Sequence, residues 1–283
     1  MVVVASSKAW PSAVCVLEDQ GARDYMEDRH TVVSSLNPRQ FGLIAVFDGH
    51  GGAAAADYCS RALPPVVLGT LSDMQAGKHL RDDVPMAIAR DFHAVDTNMQ
   101  RSGSVPQDMG TTACVVAIGG GEVWAANTGD SRAIMRSRVG AVQLTRDHKP
   151  TREDEMRRIT DAGGRITYAP NDTPRIMGTL NLSRSLGDWY MRPYVIPTPE
   201  VSRCELMVGD AYLLVASDGI WDVITDEDEI AIVDARLDDR APKRRNPGIG
   251  ALRELHDVAR NRGSTDNVTA VLLDIRATPG RTQ

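Results

Sequence analysis

Three stretches of this chain are apolar at almost every position and lie directly beside an acid. They are GLIAVFD at Gly42–Asp48, AYLLVASD at Ala211–Asp218 and NVTAVLLD at Asn267–Asp274, which follows Asp266. A strand that alternates buries one face, whereas a strand apolar throughout needs cover on both. The chain must therefore place these strands between other layers. Shorter runs of the same kind recur: AVCVLE, HTVVSSL, TTACVVAIG, EVWAAN and SRAIMRS, mostly bounded by Gly, Asp or Asn. GGGE at Gly119–Glu122 reads as the turn of a hairpin.

Helical patterns are fewer and longer. Ile88, Phe92, Val95 and Met99 make one apolar stripe on a helix over Pro85–Arg101, which reads as core packing. Ala53–Leu63 continues as a helix after Gly51-Gly52. Thr151 with Asp154 resembles a capping pair for a helix ending near Gly163-Gly164, and Thr225 with Asp228 does the same for Asp226–Arg236. Leu252, Leu255 and Val258-Ala259 mark a last helix before Gly263. Helices come in pairs between groups of strands, which points to an α+β fold with antiparallel sheets. Gly163–Thr179 reads as an irregular loop, Asp238–Gly248 as a solvated loop, and the closing ATPGRTQ as a frayed tail.

The 283 residues suffice for one large domain or two average ones, and 42% hydrophobic content supports a sizeable core. Thirty-eight acids against 32 Lys and Arg give a net charge of −6. That argues against nucleic acid or an anionic membrane as the main partner, and acidic excess can hold divalent cations. Cys15, Cys59, Cys114 and Cys204 lie far apart with no C-x-x-C pair, so reduced core thiols are expected and zinc is not. None precedes a Gly-rich loop ending in Arg, which disfavours a cysteine-nucleophile phosphatase. MVVVASS is too short for a secretory segment, no apolar run reaches spanning length, and Val2 stands where myristoylation needs glycine. A soluble intracellular protein is expected.

The acids at strand ends carry the chemistry. Asp48 and Asp218 each close an apolar run and precede Gly; Asp130 follows the EVWAAN run, Asp266 precedes the last strand, and Glu27-Asp28 sits in ARDYMEDRH. Each alone is ordinary turn chemistry. Together they are carboxylates at sheet ends that cannot all remain ionised unpaired, with few Lys or Arg in the same motifs. Mg²⁺ or Mn²⁺ is the natural counter-charge for oxygen-only ligands, and two such ions clamp a phosphoryl group and activate a shared water. Gly49 lets its carbonyl approach a metal, His50 is placed to donate a proton to a leaving oxygen, and Arg23 suits phosphate.

The ordered motifs RDYMEDRH, VFDGHGG, GTTACVV, ANTGDSR, LTRDHKP, GTLNLSRSLGD, ASDGIWD and STDNVT run from Arg23 to Thr269. In this the chain closely resembles the type-2C, metal-dependent serine/threonine protein phosphatases. The resemblance implies a four-layer αββα sandwich, two antiparallel sheets flanked by helix pairs, in a single catalytic domain over residues 1–283. It implies that Asp48, Asp218 and Asp266 hold a first metal. Asp48 and the Gly49 carbonyl hold a second, with Glu27 and Asp28 acting largely through water. Asp130 with Asp218 and Asp222 matches a weaker third site. Arg23 would bind substrate phosphate and His50 would be the general acid. The metals would be Mg²⁺ or Mn²⁺, two per active site. The partners would be phosphoproteins, met by a monomer in the cytoplasm or nucleus. A flap is expected at about 163–182. RIMGTLNLSR replaces the commoner RVNG.LA.SR, so Met177 and Asn181 are unusual, and Asp238–Gly248 is longer and more basic than usual.

Two other readings compete. Asp48-x-His50 matches the opening of calcineurin-like phosphoesterases, but their G-N-H-E element is absent, as are the acid that haloacid dehalogenases need at position 50 and a P-loop. Loss of Asp48, Asp218 or Asp266 would favour a catalytically inert phosphatase-like binding module, and all three are present.

Overall fold

The computed structural model describes residues 3–7, 14–35, 40–170, 172–237 and 246–276. The first elements are β1 (Val3–Ser7), β2 (Val14–Asp19), β3 (Arg29–Val33), β4 (Gly42–Phe47) and a two-residue β5 (Gly49–His50). Helices α1 (Ala54–Gln75) and α2 (Val84–Ser102) follow. A short β6 (Gly110–Thr111) leads into β7 (Ala113–Gly119), β8 (Glu122–Thr128), β9 (Arg132–Ser137) and β10 (Gly140–Gln143). Next come α3 (Glu153–Asp161) and three two-residue strands, β11 (Ile166–Thr167), β12 (Arg175–Ile176) and β13 (Leu186–Gly187). The remaining elements are β14 (Glu200–Glu205), β15 (Tyr212–Ala216), the single turn α4 (Asp218–Trp221), α5 (Asp226–Leu237), α6 (Pro247–Asn261) and β16 (Val268–Asp274).

Two antiparallel sheets dominate, with strand orders β1-β2-β16-β15-β9-β10 and β14-β8-β7-β4-β3. Their inner faces meet through Ile44, Val46, Val116, Ala125, Met135, Val215 and Val271. The alternate residues of the same strands point outward. Leu43, Ala45 and Phe47 of β4 pack on α1 and α2, while Leu214, Ala216 and Leu272 pack on α5 and α6. Every residue of β4 is buried, as an all-apolar strand requires. The layers are thus helix pair, sheet, sheet, helix pair, and the α+β sandwich expected from the strand pattern is what forms.

Local expectations fared unevenly. α1 does not stop at Leu63 but runs through Pro64 and Pro65. Pro64 has no N–H for the Ser60 carbonyl, and Thr31 Oγ1 donates to that carbonyl instead at 2.7 Å. The buried stripe Cys59, Leu63, Val67, Leu71 then carries the helix on. Thr225 caps α5 as expected, its hydroxyl accepting the Asp228 N–H at 3.2 Å. Thr151 caps nothing: α3 starts at Glu153 behind Arg152, whose guanidinium binds Asp154 and Glu200. Cys15, Cys59 and Cys114 are buried, but Cys204 on the edge strand β14 is only half-buried. Pro247-Gly248, assigned above to a loop, open α6, and residues 238–245 and the 277–283 tail lie outside the described residues.

Within Gly163–Thr179, largely irregular as expected, β11 and β12 pair two residues each. β11 and β12 align Ile166 with Ile176, and Ile159, Ile176, Leu182, Met191 and Val195 form a small satellite core. Met177, in the turn after β12, adopts φ +51°, a left-handed conformation that Met tolerates poorly and Asn tolerates well. The unusual residue of RIMG is thus a strained one. Met177→Asn should stabilise the protein by about 0.5–1 kcal/mol, raising Tm by roughly 1–3 °C in a thermal melt. A lower Tm would show that Met177 gains more from contact than it loses in backbone strain.

Candidate active site

The acids converge because the two sheets end together. Asp48 leaves β4, Asp218 leaves β15 and Asp130 lies just past β8, while Asp28 enters β3 and Asp266 lies just ahead of β16. Antiparallel register puts these exits and entries at one edge: Arg29 pairs with Phe47, Ala216 with Ala270, and Thr128 with Ala113.

Several polar contacts pin the cluster. Ser217 Oγ donates to Asp28 Oδ2 at 2.8 Å and accepts the Thr269 N–H at 3.0 Å, tying one sheet to the other. Thr112 Oγ1 accepts the Asp48 N–H at 3.0 Å, while the Thr112 N–H donates to the Asp48 carbonyl at 2.8 Å. Thr112 Oγ1 also meets Ser131 Oγ at 2.7 Å, which fixes Asp48 against the turn bearing Asp130. Asn267 accepts the Glu27 N–H at 2.7 Å and donates to the Gln20 and Tyr25 carbonyls, holding the loop that carries Arg23 and Glu27. Gly49 is glycine for space: a side-chain carbon there would stand 2.6 Å from the Glu27 carbonyl oxygen.

The electrostatics are dominated by crowding. Burial first, then the charges of Asp28, Asp218, Asp130 and Asp266, raise the Asp48 pKa well above the ordinary carboxylate range. Asp218 is raised likewise by burial and by Asp130, Asp222 and Asp266, with Lys149 opposing. Burial pushes Asp28 up to about 6 against the Ser217 hydrogen bond, and its Oδ1 has no hydrogen-bond partner among the described residues. Asp222 is raised by burial, with Lys149 again opposing.

Two cations answer the acids. Arg23 donates to Asp266 Oδ2 at 2.6 Å while its side chain stays 56% exposed. Lys149 donates to Asp130 Oδ2 at 2.7 Å and Asp222 Oδ1 at 3.3 Å. Burial works against its charge, but Asp130, Asp218 and Asp222 raise its pKa on balance. Lys149 comes from outside the acid motifs, so the expectation of few Lys or Arg within those motifs is unaffected. It lies in the quoted LTRDHKP motif, and its charge in an otherwise short polar stretch was the available signal. His50 Nε2 lies 2.7 Å from Asp188 Oδ2. Burial lowers the His50 pKa, but the Asp188 bond and the charges of Asp188, Asp130 and Glu27 outweigh it.

Among the described residues no three acid, imidazole or thiol groups already stand at coordination spacing. The donor set still fits hard divalent ions. It is all oxygen, it includes an unpartnered buried carboxylate oxygen, and it carries more negative charge than Arg23 and Lys149 offset. Every residue expected at the site lies at this end of the sandwich. Thr112, Lys149, Asp188 and Ser217 join them unanticipated.

The fold is a four-layer sandwich with an acid-lined end. A family profile described as "Protein phosphatase 2C" matches residues 13–268. The chain is 34% identical over 255 residues to "Probable protein phosphatase 2C 7" of Oryza sativa subsp. japonica, covering 90% of this chain and 63% of that protein. It is 35% identical over 255 residues to "Probable protein phosphatase 2C 59" of Arabidopsis thaliana, covering 89% and 76%. The crystal structure of serine-threonine phosphatase 2C from Toxoplasma gondii superposes with a TM-score of 0.81 at 22% identity, covering 97% and 98% of the two chains. This chain belongs to the protein phosphatase 2C family.

Raised carboxylate pKa values have a thermodynamic consequence. A folded-state pKa above the unfolded value favours folding at low pH, and that contribution is lost as pH rises through the folded value. In EDTA, Tm should therefore fall between about pH 5 and pH 7.5, through the Asp28 value of about 6. Mn²⁺ should raise Tm more at pH 7.5 than at pH 5, because the cation competes with protons for the same oxygens. Asp48→Asn should flatten the EDTA profile. A metal shift equal at both pH values would mean that the acids do not bind the ion.

Proposed function

We propose that this chain hydrolyses phosphoserine and phosphothreonine in proteins, with Mg²⁺ or Mn²⁺ as cofactor. The observation that carries this reading is the gathering of Asp28, Asp48, Asp130, Asp218 and Asp266 from both sheets at one end, where burial and neighbouring charge drive Asp28, Asp48 and Asp218 toward protonation unless a cation meets them. Asp48, Asp218 and Asp266 would hold one ion. Asp48 and the Gly49 carbonyl would hold a second, with Glu27 and Asp28 contributing through water, and Asp130, Asp218 and Asp222 would take a weaker third. Bound divalent ions supply the positive charge that activates water and neutralises phosphoryl oxygens.

The chain's own residues do the rest. Arg23, half-exposed beside Asp266, binds the substrate phosphate through its guanidinium. His50 gives a proton to the departing serine or threonine oxygen, which is too basic to leave as an alkoxide. Catalysis belongs to one domain over residues 1–283, with the hairpin region 163–182 as a flap beside the site. The protein acts as a monomer on phosphoproteins, in the cytoplasm or nucleus. No helix among the described residues is long and apolar enough to cross a membrane.

Hydrolysis of p-nitrophenyl phosphate should require added Mn²⁺ or Mg²⁺ and stop in excess EDTA; full activity in EDTA would refute the reading. Asp48→Asn, Asp218→Asn and Asp266→Asn should each lower kcat by about 10²–10³-fold or more in folded protein, with Asp48→Asn the most severe. Near-normal kcat with normal metal content in any of them would remove that residue from the site. Arg23→Ala should raise KM for a phosphopeptide more than it lowers kcat, because phosphate is held alike in ground and transition states. An unchanged KM would make Arg23 a structural partner of Asp266 alone.

A further inference from the structure

The motif GTLNLSRSLGD ends in an acid that the reaction as described leaves without a task. Asp188 is fully buried. It follows β13 in a three-stranded sheet of order β13-β6-β5. In that sheet Gly110 of β6 pairs with Gly187 on one side and with His50 on the other. The Asp188 and His50 side chains meet across Gly110, Oδ2 to Nε2 at 2.7 Å. Gly110 is what permits this: a side-chain carbon there would collide with Asp188 Oδ2 and crowd His50 Nε2.

The fold holds Asp188 there at a cost: its Oδ1 is buried and, among the described residues, has no hydrogen-bond partner. Its φ is +48°, a left-handed conformation that Asp, like Asn, adopts more readily than most residues. The surroundings fix it firmly. Asp96 of α2 accepts from the Gly187 N–H at 2.8 Å, from Trp189 Nε1 at 3.2 Å and from Arg192 at 3.1 Å. Arg192 also donates to the Gly187 carbonyl at 3.0 Å, and the Asp188 N–H donates to the Met109 carbonyl at 3.0 Å. The Ser185 hydroxyl donates to the same Oδ2 that faces His50.

We infer that Asp188 is the positioning residue of His50. A carboxylate only accepts, so Nε2 carries hydrogen and donates to Asp188 Oδ2. The proton that can move to a leaving oxygen is then the one on Nδ1. After transfer His50 is neutral with its hydrogen on Nε2, and that tautomer is the one Asp188 stabilises. Asp188 thus sets both the ring plane and which nitrogen works, without touching the substrate. The inference deepens the proposed reaction and rests on His50 as proton donor.

The test uses Asp188→Gly, because glycine accepts the left-handed backbone and so removes the carboxylate with the least risk to folding. Activities are compared on a phosphoserine peptide and on p-nitrophenyl phosphate, whose nitrophenolate leaves without a proton, at saturating Mn²⁺ with metal content measured. Asp188→Gly should lower kcat on the peptide by about 10²-fold, the scale of a misplaced reacting group, and far less on the aryl ester. Asp188→Asn, which keeps an acceptor, should fall between it and wild type. His50→Gln should show the same substrate selectivity, and the double variant should be no worse than His50→Gln alone.

Equal losses on both substrates for Asp188→Gly, or losses that multiply in the double variant, would overturn the inference. If His50→Gln itself shows no selectivity, the proton-donor reading fails, and ¹⁵N NMR of the His50 ring still judges Asp188. A hydrogen-bonded Nε2–H signal, shifted downfield and slow to exchange with water, should be present in wild type and lost in Asp188→Gly. An unchanged signal would overturn the assignment. Should Asp188→Gly not fold, the same comparisons apply to Asp188→Asn, where wild-type peptide kcat and an unchanged ring pattern would also overturn it.

Discussion

Mutual repulsion among carboxylates brought to one edge of a sandwich is the constraint on which this molecule turns. Asp48 and Asp218 are driven toward protonation by burial and by their neighbours' charge. A protein could relieve this by moving the acids apart. Here the strand register forbids it, because Asp48 and Asp28 flank paired strands and Asp218 and Asp266 flank another such pair. Ser217 then joins the two sheets through Asp28 and Thr269. Relief has to come from protons or from cations, and that requirement makes the edge a candidate site.

How much of this was legible follows from what each feature depends on. The interior strands β4, β15 and β16 declared themselves, since burial on both faces demands unbroken apolar runs. The edge strands β10 and β14 did not. GAVQ and EVSRCE are short or polar because an edge meets water, and polar strands resemble loops. α1 ran past its prolines because a side chain 29 positions away in sequence supplies the missing donor, which no local rule sees. The acids were legible because turn chemistry places Asp at strand ends, and several such ends in one chain suggest a shared purpose. Their partners were not: Lys149 lies 19 positions from Asp130, and Asp188 lies 138 from His50.

Some departures from ordinary packing lie at this end of the molecule. Among the described residues Asp28 Oδ1 and Asp188 Oδ1 are buried with no hydrogen-bond partner, and Asp188 holds a left-handed backbone, while Glu229 Oε1 on α5 and the left-handed Asn246 ahead of α6 lie elsewhere. The interface between the sheets is by contrast a plain aliphatic core. Local rules tend to fail where function is built, and a sound core elsewhere makes that tolerable. Met177 extends the pattern to the turn after β12, whose backbone suits Asn better than the residue present.

The two cations at the acid cluster differ in a way that sorts their roles. Lys149 sits on a clamped loop. Next to it Asp147 receives a two-pronged bond from Arg132, His148 is bonded to the backbone of Gly129, and the Ser183 N–H and hydroxyl both donate to the His148 carbonyl. Its side chain is 29% exposed and divided between Asp130 and Asp222. Leaving those acids would strand two carboxylates, so Lys149 behaves as a fixed counter-charge. Arg23 lies on the loop between β2 and β3, holds one acid and is 56% exposed. An exposed pair of this kind is worth only about 0–1 kcal/mol, so exchanging Asp266 for an incoming phosphate costs Arg23 little. Were a divalent ion to take up the charge of Asp266, that pair would weaken further and leave the guanidinium free for a substrate phosphate. On the proposed reading the same charge would serve as scaffold on one side of the cluster and as a substrate ligand on the other, with burial deciding which.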